Sequence, residues 1–275
     1  MMIDRRYSRW NLVLLALVVG LSVSLVGGCA TPTTYHVDET SVVSESRAKR
    51  DLGVDYLSTR RTGMAIRELT ESLELDPSDP ETHLWLGEAY RRKGRSDRAE
   101  NYLLEALALA EGRRDLGTQQ AARLNLSALL SQQGRYEDAI EHCEQLATDP
   151  TFAAPWRPLS NCGWALMKLG RLEEARGRFE SALEFFPRFA SALLNLGILE
   201  EQQGHHLAAI QAFEKALKSR RLGLSGHAEA NFRLGEIFVS LGDRDQAVSH
   251  FRSAAKVAPE ADWGSQSQAY LDLLQ

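Results

Sequence analysis

Residues 196–216 read LGILEEQQGHHLAAIQAFEKA, and the fold of the whole chain follows from this stretch. Leu196-Gly197 opens it, Gly204 interrupts it, and Ala209, Phe213 and Ala216 close it. Apolar and small residues recur at i, i+3/i+4 and i+7 on either side of Gly204. That period puts one buried stripe on each of two successive helices. Gly204 sits where the first helix must stop, and glycine takes the left-handed cap conformation that a stop requires. Gly197 on the first helix and Ala209 on the second are small enough to let the two helices approach closely. The stretch is a helical hairpin.

Working outward, the same grammar recurs five more times. Leu52-Gly53, Tyr56, Ala65, Leu69 and Pro77 form a first copy, and Leu86-Gly87, Tyr90, Gly94, Ala99, Leu103 and Ala106 a second. The third is Leu126-Ser127, Leu130, Gly134, Tyr136, Ala139 and Cys143; the fourth is Cys162-Gly163, Leu166, Gly170, Ala175, Phe179, Ala182 and Pro187. After the opening stretch comes a sixth: Leu234-Gly235, Phe238, Gly242, Ala247, Phe251, Ala254 and Pro259. The small residue falls at 53, 87, 127, 163, 197 and 235, a base period of 34 with insertions before copies three, four and six. This pattern resembles the tetratricopeptide repeat. The third copy departs from it, with Ser127 for glycine. One hairpin cannot bury its stripe alone, so neighbours must stack on a continuous core.

The expected fold is therefore all-α: a right-handed superhelical solenoid of six tetratricopeptide helix-turn-helix repeats with a C-terminal capping helix. The repeats are expected at 46–79, 80–113, 120–153, 156–189, 190–223 and 228–261. The segment 262–275, with Tyr270, Leu271 and Leu274, reads as the cap. Arg113 to Gln119 and Gly223 to Gly226 read as longer turns between repeats, and Pro77, Pro187 and Pro259 as ends of second helices.

The N-terminus has a different character. Arg5, Arg6 and Arg9 precede an apolar run from Leu12 to Val26, of signal-peptide length and shorter than a membrane span. It ends in Leu25-Val26-Gly27-Gly28-Cys29-Ala30, which resembles the bacterial lipobox. The resemblance implies a signal peptide over 1–28 and a diacylglycerol and an N-acyl chain on Cys29, with no other cofactor. Ala30 is not the aspartate of inner-membrane retention, so the expected location is the periplasmic face of the outer membrane. Residues 29–45, with Pro32 and many Ser and Thr, read as a flexible tether.

Composition narrows the function. The chain has 275 residues, 44% hydrophobic and 25% charged, which excludes disorder and multi-span membrane architectures. A net charge of -5 offers no basic surplus for nucleic acid. No glycine-rich phosphate loop or catalytic constellation is present, so neither an enzyme nor a small-molecule substrate is expected. His205-His206 reads as a solvated turn without a carboxylate or cysteine at ligand spacing.

Protein binding is the remaining class. In this repeat architecture first helices line an inner groove. One groove-facing position holds Asn125, Asn161 and Asn195, whose carboxamides can pair with an extended peptide; the alternative is that they bond only water or the adjoining turn. Leu124, Trp164, Met167, Leu194, Ile198 and Phe232 flank this ladder. Trp164 and Ile198 share a repeat position and read as a sticky wall, while some of the others must belong to the core. The carboxylate clamp of chaperone-binding relatives is not matched, because Val54 stands where it has asparagine.

Lipobox, six copies, short tether and the cysteines of copies three and four together resemble the type IV pilus pilotin family. That resemblance implies a partner, the secretin subunit, escorted to the outer membrane for multimerisation. The alternative is an envelope adaptor recruiting peptidoglycan-modifying enzymes. Cys143 and Cys162 both point into the core at one repeat junction. They are either joined or reduced apolar filler, and the oxidising periplasm favours a disulfide.

Overall fold

The computed structural model describes residues 39–274, so the expected signal peptide over 1–28, Cys29 and the first part of the tether lie outside the described residues. Every element among the described residues is a helix. Six antiparallel hairpins follow one another: α1 (Glu39–Ser58) with α2 (Thr62–Leu75), α3 (Pro80–Arg92) with α4 (Ser96–Arg113), and α5 (Leu116–Gln132) with α6 (Tyr136–Ala147). Then come α7 (Trp156–Lys168) with α8 (Leu172–Phe185), α9 (Ala190–Gln202) with α10 (His206–Leu217), and α11 (Gly223–Ser240) with α12 (Arg244–Val257). A last helix, α13 (Asp262–Leu273), closes the stack.

The stop signals act as their chemistry requires. Gly94, Gly134, Gly170, Gly204 and Gly242 all lie at φ between +69° and +78°. The N–H after each bonds back across the turn; His205 N–H, for example, reaches Glu200 O at 2.9 Å. That bond satisfies a carbonyl the helix end would leave orphaned. The first hairpin has no glycine there, and Arg60 takes the left-handed conformation at φ 61° in its place. Pro77, Pro187 and Pro259 follow closely on the ends of α2, α8 and α12.

The small residue of each copy faces the side chain sixteen positions later. A Cβ on Gly163, Gly197 or Gly235 would come within 2.6 Å of Phe179, Phe213 or Phe251, and one on Gly53 or Gly87 equally close to Leu69 or Leu103. In the third copy the facing residue is Cys143, small enough to leave room for Ser127, and both are fully buried. The departure of copy three is thus a matched exchange of sizes across one contact.

Three expectations are corrected. Residues 39–45 are not tether: α1 begins at Glu39. Ser46 is buried within it, donating to Ser72 O at 3.0 Å while Ser72 Oγ donates to Ser46 O at 2.8 Å. Arg113 to Gln119 is not a long turn, because α4 runs to Arg113 and α5 starts at Leu116. Asp115 between them caps α5 by accepting from Thr118 N–H at 3.1 Å. Here the insertion lengthens helices, since Leu107 and Ala110 extend a buried face of strong helix formers. Gly223 to Gly226 likewise forms the first turn of α11. Residues 148–155 do form a longer connection.

Packing has a consistent polarity. Each first helix packs its backbone against the first helix of the next hairpin, from α1 to α3 and onward to α13. Second helices do not approach one another that closely among the described residues, and are bridged by long side chains such as Arg178 to Glu144. The odd-numbered helices therefore form a continuous inner rank and line one face of the stack. The core runs behind that rank in consecutive clusters.

Candidate partner-binding groove

The three asparagines lie on the inner rank, on α5, α7 and α9, and all are half-buried. Their carboxamides are not equivalent. Asn125 Nδ2 donates to Ala121 O of its own helix at 3.0 Å. Asn161 Nδ2 donates to Ser127 Oγ on α5 at 2.8 Å, and Ser127 in turn donates to Leu124 O at 2.8 Å. Ser127, the residue that replaces glycine, thus links two inner helices. Asn195 has no side-chain partner among the described residues. All three rungs keep a free acceptor oxygen; Asn125 and Asn161 keep one N–H donor each, and Asn195 keeps both.

Sequence reasoning missed the ends of this row. The same repeat position holds Asp51 on α1, Trp85 on α3 and Arg233 on α11, and register alone would have found all three. Trp85 is half-buried against the first core cluster. Arg233 Nη1 reaches Glu201 Oε2 at 2.8 Å and Nη2 reaches Glu229 Oε1 at 3.1 Å, while its guanidinium lies 5.3 Å over the Trp263 ring. Burial pushes the Glu201 carboxyl above its ordinary range, against the pull of Arg233.

The apolar wall is narrower than expected. Trp164 is half-buried, with Lys168 Nζ 4.5 Å over its ring, and Leu194 is half-buried too. Ile198, at the Trp164 repeat position, is only 4% exposed and belongs to the core. Successive inner helices touch, so a compact β-branched side chain vanishes into the seam where an indole cannot. Met167 and Leu124 are also buried. Phe232 is buried because α13 covers it: Trp263 and Tyr270 stand at 5.2 and 5.8 Å, and Phe251 at 5.8 Å. These four are core residues, leaving Trp164 and Leu194 beside Asn195 as the accessible patch.

Cys143 on α6 and Cys162 on α7 form a disulfide, with Cα atoms 5.7 Å apart. It crosses the junction between the third and fourth hairpins. At His205 the expectation of a turn without a carboxylate is corrected: its Nδ1 lies 2.9 Å from Glu200 Oε2, and Glu200 also pairs with Arg176. Glu200 lies one turn back on α9, a spacing that a search for metal ligands passes over. Among the described residues no group of three or more histidines, cysteines and carboxylates is placed to hold a metal ion. No described helix is long and apolar enough to cross a membrane.

A stack of helical hairpins with an inner rank carrying amide and apolar side chains is a protein-interaction solenoid. The tetratricopeptide-repeat models match residues 50–114, 163–223 and 202–265, and a further one matches 120–148, so the chain belongs to the tetratricopeptide-repeat family. Among characterised proteins it is similar to the type IV pilus assembly protein PilF of Pseudomonas aeruginosa, 28% identical over 172 residues. That match spans 61% of this chain and 65% of the relative. The solved structure of Pseudomonas aeruginosa PilF superposes with a TM-score of 0.66 at 21% identity, covering 84% of this chain and 99% of that one. PilW, described as a widely conserved type IV pilus biogenesis factor, gives 0.68 at 19% identity, covering 80% and 97%. The Cut9–Hcn1 assembly also reaches 0.68 at 17% identity, so fold likeness alone does not select a function.

Proposed function

We propose that the chain is a type IV pilus biogenesis lipoprotein whose inner rank binds a segment of the secretin subunit. Acylation at Cys29 holds it on the periplasmic face of the outer membrane. Its work is binding plus address: a ligand held on the membrane where it must assemble meets other subunits at raised effective concentration. The similarity to a pilus assembly protein supports the pathway, and the lipobox resemblance supports the address. The observation that carries the binding mode is the patch of Asn195, Leu194 and Trp164 on the inner rank, with amide donors and acceptors free on the same rank as half-buried apolar side chains.

Asn195 offers its full carboxamide to an extended backbone, and Asn125 and Asn161 each add an acceptor and one remaining donor along the same row. Leu194 and Trp164 supply the desolvated contact that fixes affinity. The test is a deletion strain complemented with wild type, with Cys29→Ala, or with the pair Trp164→Ala and Asn195→Ala. Each strain is scored for secretin multimers in the outer membrane. Wild type restores multimers, Cys29→Ala does not, and the groove pair lowers them by about tenfold if both contacts carry ordinary interface energies. Unchanged multimers in the deletion strain would sink the pilus reading, and altered cell-wall crosslinking in their place would move the protein to envelope adaptors. Full multimer yield with the groove pair would leave the pathway standing and remove the binding mode.

A further inference from the structure

The turns that join hairpins four, five and six build a second recess, apart from the inner rank. Phe186 and Pro187 lie between α8 and α9 and join Leu193 of α9 as an apolar lining, within a cavity of about 510 Å³. Its remaining lining is Ser219 and five cations: Arg188, Lys215, Lys218, Arg220 and Arg221. No carboxylate lines it. None of the five makes an ion pair with any described residue, and all five side chains are exposed. Nearby arginines behave differently, since Arg171, Arg176, Arg178 and Arg233 each meet a glutamate.

Chance does not favour such a cluster in a chain of net charge -5. Like charges brought together by two separate turns repel one another, and nothing inside the fold offsets that cost. A ligand of opposite charge would. The recess is concave, so the ligand must enter it rather than lie flat across it. Its apolar lining asks for an apolar side chain, and its rim asks for carboxylates on both sides. Phe185, 60% exposed, immediately precedes the lining residue Phe186.

We propose that this recess is a second protein-docking site, taking an extended acidic segment of a partner with an apolar side chain set between carboxylates. It lets the solenoid hold one partner on its inner rank while a second is held at the turn edge. Association at such a rim is steered by charge and weakens with salt.

The test uses full-length protein in detergent and a fluorescent peptide of alternating glutamate and phenylalanine, with a lysine–phenylalanine peptide as control. The variant is Lys218→Glu with Arg221→Glu; both positions are exposed, so the core is not touched. Wild type should bind the acidic peptide in a salt-sensitive way and ignore the basic one. The variant should lose about tenfold or more in affinity, the scale of removing two charged contacts and adding two repulsive ones. Its thermal unfolding should match wild type, and Trp164→Ala with Asn195→Ala should bind the acidic peptide normally. Equal binding by wild type and variant overturns the proposal. So does an outcome in which the variant keeps the peptide but loses adsorption to phosphatidylglycerol vesicles, which would make the recess a lipid-facing patch.

Discussion

The pairing of Ser127 with Cys143 shows how a single exchange can preserve a repeat. Elsewhere a glycine faces leucine or phenylalanine at a separation no Cβ would tolerate; here the partner has shrunk and the glycine is no longer needed. The converse gives a prediction. Gly197→Ala sets a methyl 2.6 Å from the Phe213 ring, which is fully buried and cannot swing aside. Overpacking of this kind costs about 1–3 kcal/mol, read as a lowered urea midpoint with an unchanged slope. A midpoint equal to wild type would mean that α9 and α10 separate freely. The position of the small residue was legible in the sequence because it recurs. The fate of Ile198, Met167, Leu124 and Phe232 was not. Repeat register says which helix face a residue occupies, whereas burial depends on how closely the next inner helix or the cap approaches. Asn195 and Asn125 show the same limit: identical residues at one register differ in what their carboxamides still offer.

At the scale of elements, the hairpins and their glycine stops were readable, and the insertions were misread. Gly223 keeps the turn conformation its residue type favours, at φ +74°, while Gly226 is taken into α11, whose buried Ala228 and Ala230 pack against neighbours. At Gly226 tertiary burial overrode propensity. The second helices carry a further property, a sensitivity to mild acid. His250 on α12 is half-buried, stacked 5.4 Å from Phe238 at an interplanar angle of 5°, with Nδ1 3.0 Å from Asn231 Oδ1. Burial holds its imidazole below its ordinary pKa, against the pull of Glu214 on α10. Burial does the same to His142 on α6, with Arg123 on α5 adding to it. Below about pH 6.5 the unfolded chain therefore gains protons that the folded chain refuses, and stability falls as pH falls from there. Asp79 and Glu88 are held low instead, since Thr82 and Arg50 for the one, and Arg91 and Arg92 for the other, outweigh burial; their contribution is lost only at stronger acid. The melting temperature should drop between about pH 7.5 and about pH 5.5, and His142→Gln with His250→Gln should flatten that drop. An equally steep drop in the double variant would assign it to other groups.

For the whole molecule, stability is a sum of hairpins and the junctions between them. The step from α6 to α7 is the junction that carries a covalent staple as well as close packing. The long connection over 148–155 leads into it, and two core clusters meet there, with Ile140 packed against both. The Cys143–Cys162 disulfide spans this step, with a sequence separation of 19. Closing a loop of about 20 residues removes unfolded-state entropy worth about 3 kcal/mol in chain-entropy models. With the bond intact the halves on either side should melt together. Replacing both cysteines by alanine should lower the midpoint while the halves still melt together, because α7 stays packed on α5 and α6. The readouts are helical circular dichroism and tryptophan fluorescence, since Trp85 lies before the junction while Trp156, Trp164 and Trp263 lie after it. Reductant applied to wild type should reproduce the variant's curve, with two thiols appearing on denatured chains. One sharp transition at the original midpoint, with both thiols counted, would show that packing alone holds the junction and that the disulfide adds nothing to it.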